Sequence, residues 1–380
     1  MRDGTPMTRT VKMVRSAFLG GVAAAALDAC AGGKPAPVRI GVSGPFGGAD
    51  AAYGRTWRKA MDLAAAAIPT VGGRELQLTY EDSQSEPQRA IAIAQKFIDD
   101  PSVLIELGDF RSEVSMAASP LYAHVGLVQF AFSASDPAFT TLGDCMFSTA
   151  TPAGAAARAL AAQSLTLGRN HAVLYRDDAF GRTASAAYVA SVRAQHGSIA
   201  ALQSYSPSAD DLSESVGAVR DARPDVLAFF SDDTDGARVV QLAHGGGLNA
   251  HMVTSSACYT RRFLRLAGRS AEGVILSTPF FAGDRRPAVR AFVAEYSRKY
   301  GEEPDLTAAS AYDAVGIAAW ALARGKFTRD GTREALVSGS GIPSVVDGPF
   351  EFEPNRRVAR EHGEIFLVVR NGAFVPLNPR

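Results

Sequence analysis

Three serines in two short loops carry the first chemistry legible in this chain. Ser112 follows the loop 108–111, and Ser133 and Ser135 open the loop 133–136. A serine at the start of a helix places its hydroxyl beside backbone N–H groups that lack an intrahelical partner, which makes a small anion site. Two more hydroxyls nearby suit the carboxylate of a small polar ligand. Plain helix capping accounts for Ser112 equally well. The second concentration of chemistry is acidic: Asp177 and Asp178 in one loop, and Asp232, Asp233 and Asp235 in another. The run Asp232-Asp233-Thr234-Asp235-Gly236 resembles the opening of a calcium loop but lacks the downstream glutamate. Acids at a helix start are in any case favoured by the macrodipole. The six histidines show no metal-ligand spacing, and there is no GxSxG elbow, GxGxxG or GxxxxGK[ST]. Ligand binding without catalysis, cofactor or metal is the expectation.

These loops need strands and helices to hold them. Residues 103–107 form an apolar run of strand length, 112–124 carry apolar residues at helical spacing, and 127–132 form a second short apolar run. Strand, helix, strand in that order means a parallel α/β sheet, whose ligands sit beyond the carboxyl ends of the strands. Both serine loops lie at such ends. The pattern predicts strands at 38–42, 76–81 and 145–148, with helices at 55–68 and 87–100. It restarts after Pro152 with strands at 171–175, 199–205, 226–230, 252–254 and 274–276. Helices are expected at 180–196, at 210–221 capped by Ser208 or Asp210, and after the strand 226–230, which runs straight into SDDTDG and a helix to His244, where Gly245-Gly246-Gly247 ends the helix. Three helices follow at 287–300, 306–323 and 328–338, then strands at 348–352, 364–369 and 373–376. Asn371-Gly372 between the last two signals a hairpin.

A chain of 380 residues suggests two domains, and 47% hydrophobic with 21% charged residues is ordinary for a globular protein. Net charge is zero, and setting aside the first 29 residues leaves 35 basic groups against 37 acidic ones. That balance gives no reason to expect nucleic acid. Arg2, Arg9, Lys12 and Arg15 precede an apolar run at 17–27, the pattern of an export signal too short to span a bilayer. It ends in Leu27-Asp28-Ala29-Cys30, which resembles a bacterial lipobox with Cys30 as the lipidated residue, although Asp28 is unusual there. A signal peptide over 1–29 and a tether over 30–37 are therefore expected, with a lipid anchor to the membrane. Cys145 and Cys258 read as two buried thiols.

Five stretches together, IGVSGPFGGADAAYG, YEDSQSEPQRAIAIAQKFI, FSASDPAF, YRDDAFGR and SAEGVILSTP, resemble the type I periplasmic solute-binding proteins of ABC transporters. Their nearest group is the leucine/isoleucine/valine-binding (branched-chain amino acid) class. The resemblance covers nearly all of residues 38–377, in order. It implies an α/β fold of two Rossmann-like lobes, parallel sheets flanked by helices, joined by a three-strand hinge. Residues 38–147 and 280–344 would form lobe one, and 148–279 and 345–380 lobe two. It implies a small-molecule ligand held in the interlobe cleft and an ABC permease as partner.

The resemblance also implies site residues. Ser112 matches a carboxylate-binding serine, and Ser133 and Ser135 match the loop that contacts carboxylate and ammonium. Tyr53 and Phe180 match aromatics lining the side-chain pocket. The family's acid for the ligand ammonium is missing where this chain reads Ser255-Ser256-Ala257, which leaves Ser256 as the cleft residue there. Asp232 stands where many members have an aromatic. An ammonium buried without an anionic partner would cost several kcal/mol, so either Asp232 replaces the missing acid or the ligand is not an α-amino acid. The expected function is an exported receptor that closes on an amino-acid-like or carboxylate-bearing solute and delivers it to a permease. The alternatives are an envelope regulatory or assembly lipoprotein of the same fold, or a receptor for a cationic ligand or metal complex.

Overall fold

The first lobe is a six-stranded sheet whose order places the earliest strand at its middle. The structure, a computed structural model, describes residues 35–358 and 363–378. The leader, Cys30 and most of the tether lie outside the described residues. The strands are β1 (Val38–Gly44), β2 (Thr70–Val71), β3 (Arg74–Asp82), β4 (Val103–Leu107), β5 (Val128–Ala131) and β6 (Met146–Ser148), in the order β2-β3-β1-β4-β5-β6. All pairings are parallel except that of β2 with β3. The helices α1 (Ala51–Ala67), α2 (Pro87–Asp99) and α3 (Ser112–Val125) connect these strands. Helices cover both faces of the sheet, so β4 is buried at every residue. Pro87 opens α2, where its missing N–H costs nothing. Gly126, at φ 66°, closes α3 in the left-handed conformation.

The second lobe repeats the plan. Its strands are β7 (Asn170–Arg176), β8 (Ser198–Tyr205), β9 (Val226–Phe230), β10 (His251–Thr254), β11 (Ile275–Thr278), β12 (Ile365–Arg370) and β13 (Ala373–Pro376). The order is β13-β12-β11-β10-β9-β7-β8, parallel through β11 and antiparallel for the last two strands. The helices are α4 (Ala153–Ser164), α5 (Ala179–Ala194), α6 (Ser213–Asp221), α7 (Asp233–Gly245) and α8 (Arg261–Ala267). The chain then returns to the first lobe with α9 (Pro287–Tyr300), α10 (Leu306–Arg324) and α11 (Arg329–Ser338), whose Phe292, Val315, Leu322 and Leu336 join the first core. Helix α10 is long and apolar enough to cross a membrane, but 61% of its 18-residue apolar stretch is buried inside the protein, as in a core helix.

Several local expectations change. Helix α1 starts at Ala51, four residues before the apolar periodicity becomes clear. Gly54 looks like a loop residue but lies inside the helix. A Cβ there would sit 2.1 Å from the Pro45 carbonyl oxygen, so the incoming loop requires glycine. Helix α6 starts at Ser213 without a side-chain cap, because apolar Leu212 holds the cap position, and Asp211 accepts the Ser213 N–H at 2.9 Å instead. Of Gly245, Gly246 and Gly247, the first is the last residue of α7 and Gly247 is the left-handed one, at φ 72°.

The expected strand at 348–352 is two isolated bridges, Ile342 to Phe350 and Phe352 to Val358. Phe352 packs edge-on to Phe130, Phe147 and Phe350 in the first core, which also holds Val345 and Val346. Val345, Val346, Phe350 and Phe352 thus share one buried cluster with β5 and β6. Two of these ring contacts, with Phe130 of β5 and Phe147 of β6, hold the segment against the first sheet.

Candidate ligand cleft

The carboxyl ends of the two sheets face one another across a cavity of about 200 Å³. Tyr53, Ser112, Ser133, Ser135, Phe180, Asp232 and Ser256 all line it. Residues far apart in sequence converge there because each follows a strand end or opens the next helix.

Ser112 is the first residue of α3 and not its cap. Arg111 holds the cap position in an extended conformation, with no side-chain cap bond. The Ser112 oxygen instead accepts the Asp136 N–H at 3.2 Å, tying the two serine loops together. Accepting that bond leaves its own O–H free to donate. The N–H groups of Val114 and Ser115 bond to the Arg111 carbonyl, whereas those of Ser112 and Glu113 have no partner among the described residues. Ser133 donates to the Phe110 carbonyl at 3.1 Å and so keeps acceptor capacity towards the cavity. The polar end of the cleft is a helix N-terminus ringed by hydroxyls, suited to a carboxylate.

The opposite quality comes from aromatics. Tyr53 stacks on Phe110 with centroids 4.2 Å apart, and Trp57 lies 4.4 Å from Phe132 and 6.2 Å from Phe110. Phe180 and Phe230 face them from the second lobe. Phe110 escaped the sequence reading because it stands in a polar loop, where a single aromatic gives no periodicity. Trp57 is a cleft residue as well as a core one.

Charge in the cleft is organised as a chain. Arg111 grips Asp50 with two bonds, at 2.8 and 2.9 Å, and approaches Asp178 across the lobes at 3.6 Å. Arg176 reaches Asp178 at 3.3 Å and Asp235 at 3.8 Å, and makes a close ion pair with Asp232. Burial opposes the Arg111 cation, but Asp50, Asp232 and Asp178 outweigh it and hold Arg111 above the ordinary arginine range. Both Asp232 oxygens are engaged: one caps α7 through the N–H groups of Thr234 and Asp235, each at 3.0 Å, and the other meets Arg176. Asp232 therefore enters the cleft with its charge already met. Arg176, at the end of β7, carried no sequence signal beyond its place before two aspartates. Glu364 lines the cavity too, an acid that the sequence reading passed over.

Beneath the first-lobe loops lies a second acidic group. Glu106 in β4 accepts the Ser43 hydroxyl at 2.5 Å, and burial, with Asp109 adding to it, pushes its carboxyl up to about 8. Burial likewise lifts Asp109 to about 6. Cys145 and Cys258 are free and buried.

The family described as periplasmic binding protein matches residues 37–372. The chain belongs to the periplasmic binding protein family. Among curated relatives of this binding protein, the Leu/Ile/Val-binding protein homolog 2 of Brucella abortus is 34% identical over 131 residues. That match covers 34% of this chain and 35% of the relative, so it spans about a third of either length. The solved leucine-binding protein of Thermotoga maritima superposes with a TM-score of 0.84 at 21% identity, covering 90% of this chain and 98% of the other. The branched-chain amino acid transporter substrate-binding protein of Streptococcus pneumoniae, in complex with isoleucine, gives 0.82 at 21% identity over 89% and 97%. Both have the fold described above.

Proposed function

We propose that this periplasmic binding protein is an exported receptor that closes on a small solute and presents it to an ABC permease. The solute carries a carboxylate and an apolar body, as an amino acid does. One observation carries the reading: the hydroxyls of Ser112, Ser133 and Ser135 and the start of α3 meet an aromatic wall within one interlobe cavity. In this reading the carboxylate takes the Ser112 O–H and the N–H groups of Ser112 and Glu113. The apolar body lies among Tyr53, Phe110 and Phe180. Lobe one then comprises residues 38–147 and 280–352, lobe two 153–278 and 364–378, and the segments between them form the hinge. The export signal and a lipid on Cys30 complete the proposal.

Asp232 acts in this reading through Arg176, setting the cleft's electrostatic balance. A thermal-unfolding screen tests the whole, because a ligand that binds the folded state alone stabilises it by about 2.7 kcal/mol at a hundred times its Kd. The panel is L-leucine, L-isoleucine, L-valine and 4-methylpentanoate, the last lacking only the ammonium of leucine. Stabilisation by at least one carboxylate is expected, and a flat response across the panel and a wider set of carboxylates would refute the proposal. The leucine and 4-methylpentanoate pair reads how much the ammonium contributes.

A further inference from the structure

Tyr53 has two ends with different surroundings. Its ring lines the ligand cavity and stacks on Phe110, 4.2 Å between centroids. Its hydroxyl points away from that cavity, into a second one of about 220 Å³ that also takes in Asp233, Thr260 and Arg262. There the hydroxyl donates to the Asp233 carboxylate at 3.0 Å and lies 3.5 Å from the Asp233 backbone N–H, at the first turn of α7. The other Asp233 oxygen accepts the Thr260 hydroxyl at 2.8 Å, and Arg262 stands 3.6 Å from the oxygen that Tyr53 bonds. Asp233 is only 2% exposed, yet it is not among the residues lining the ligand cavity. Tyr53 belongs to α1 of lobe one and Asp233 to α7 of lobe two, so this bond spans the lobes.

We infer that Asp233 is a positioning residue for closure, clasping the Tyr53 hydroxyl so that the aromatic ligand wall and the second lobe move as one. A phenol hydroxyl in a buried site needs a partner, and here the partner is available only when the lobes are shut. Opening breaks a hydrogen bond to a charged acceptor, so the clasp biases the equilibrium towards the closed state before any solute arrives. Solute against the Tyr53 ring then selects a state that is already sampled. The inference rests on the reading of the cleft as one that closes on a solute.

The test uses single-molecule energy transfer on the full chain, with dyes on Arg89→Cys in lobe one and Arg220→Cys in lobe two. The ligand-free parent should show a closed population. Tyr53→Phe keeps the ring and removes the hydroxyl, and it should cut the closed-to-open ratio by about tenfold, within the range for a hydrogen bond to a charged group. Asp233→Asn should act in the same direction, and the double variant should be little worse than either single one, as coupled partners require. An unchanged ratio in Tyr53→Phe, additive effects in the double variant, or a ligand-free parent with no closed population would each overturn the clasp. Global unfolding temperature, which a purely structural role would lower, should stay near that of the parent in Tyr53→Phe. The panel of leucine, isoleucine, valine and 4-methylpentanoate is read separately. Failure of every carboxylate to populate the closed state would count against the solute-receptor reading, and the ligand-free comparison would still judge the clasp.

Discussion

Replacing Ser112 with alanine separates the two things its hydroxyl does. The oxygen accepts the Asp136 N–H at 3.2 Å, a long neutral bond whose loss should cost about 0.5–1 kcal/mol of stability. The O–H is left to donate to the ligand, and a hydrogen bond to a carboxylate is worth about 1.5–3 kcal/mol. Ser112→Ala should therefore bind about 10- to 150-fold more weakly while the ligand-free protein unfolds within a few degrees of the parent. Ser112 is only 7% exposed, so the lost bond has no ready substitute from bulk water. Calorimetric titration of parent and variant with the carboxylate that emerges from the screen gives the affinity difference, and thermal unfolding without ligand gives the stability difference. Equal affinities would refute the argument, because the cleft would then bind its ligand without a hydroxyl that the second serine loop holds in place. A large fall in stability with little change in affinity would mean that Ser112 serves the loops alone.

Three further outcomes are expected. Glu106→Gln should flatten a pH dependence of stability: a carboxyl raised from 4.5 to about 8 keeps its proton in the folded state, so stability is full below about 4.5 and lost as pH rises through 8. Urea unfolding between pH 5 and 8.5 should show the parent weakening and the variant weakening less, and parallel curves would contradict it. Asp232→Asn should change ligand affinity by less than tenfold, since Arg176 rather than the ligand meets this carboxylate, and a hundredfold loss in calorimetry would assign it to a ligand cation instead. Cys30→Ser should move the protein from the membrane to the soluble fraction of a bacterial host, as loss of acyl chains requires, and a parent already wholly soluble would rule the lipid out.

Much of this molecule can be read from its residues where the signal is local and periodic. The buried runs 103–107, apolar but for Glu106, and 226–230 are central strands, because a strand covered on both faces is apolar on both sides of its pleat. Asn371 and Gly372 turn with φ 53° and 72°, the paired positive values that a tight hairpin demands. Less is legible where a residue's role depends on a partner from another element. Asp232 carries an acid's signature, but nothing in the sequence says that Arg176, 56 residues earlier, will meet it. Gly54 reads as loop until Pro45 is seen lying against it, and Phe352 reads as strand until Phe130 and Phe147 close around it. Tyr53 was legible as an aromatic wall, whereas its hydroxyl's partner 180 residues away was not.

Native mass spectrometry of the freshly purified protein tests the central claim most directly, because a receptor that closes on its solute should carry some of it through purification. The account predicts a one-to-one adduct of a small carboxylate that is released on unfolding and is depleted in Ser112→Ala. A bare protein mass that stays bare after incubation with leucine, isoleucine, valine, 4-methylpentanoate and the wider carboxylate set would contradict it.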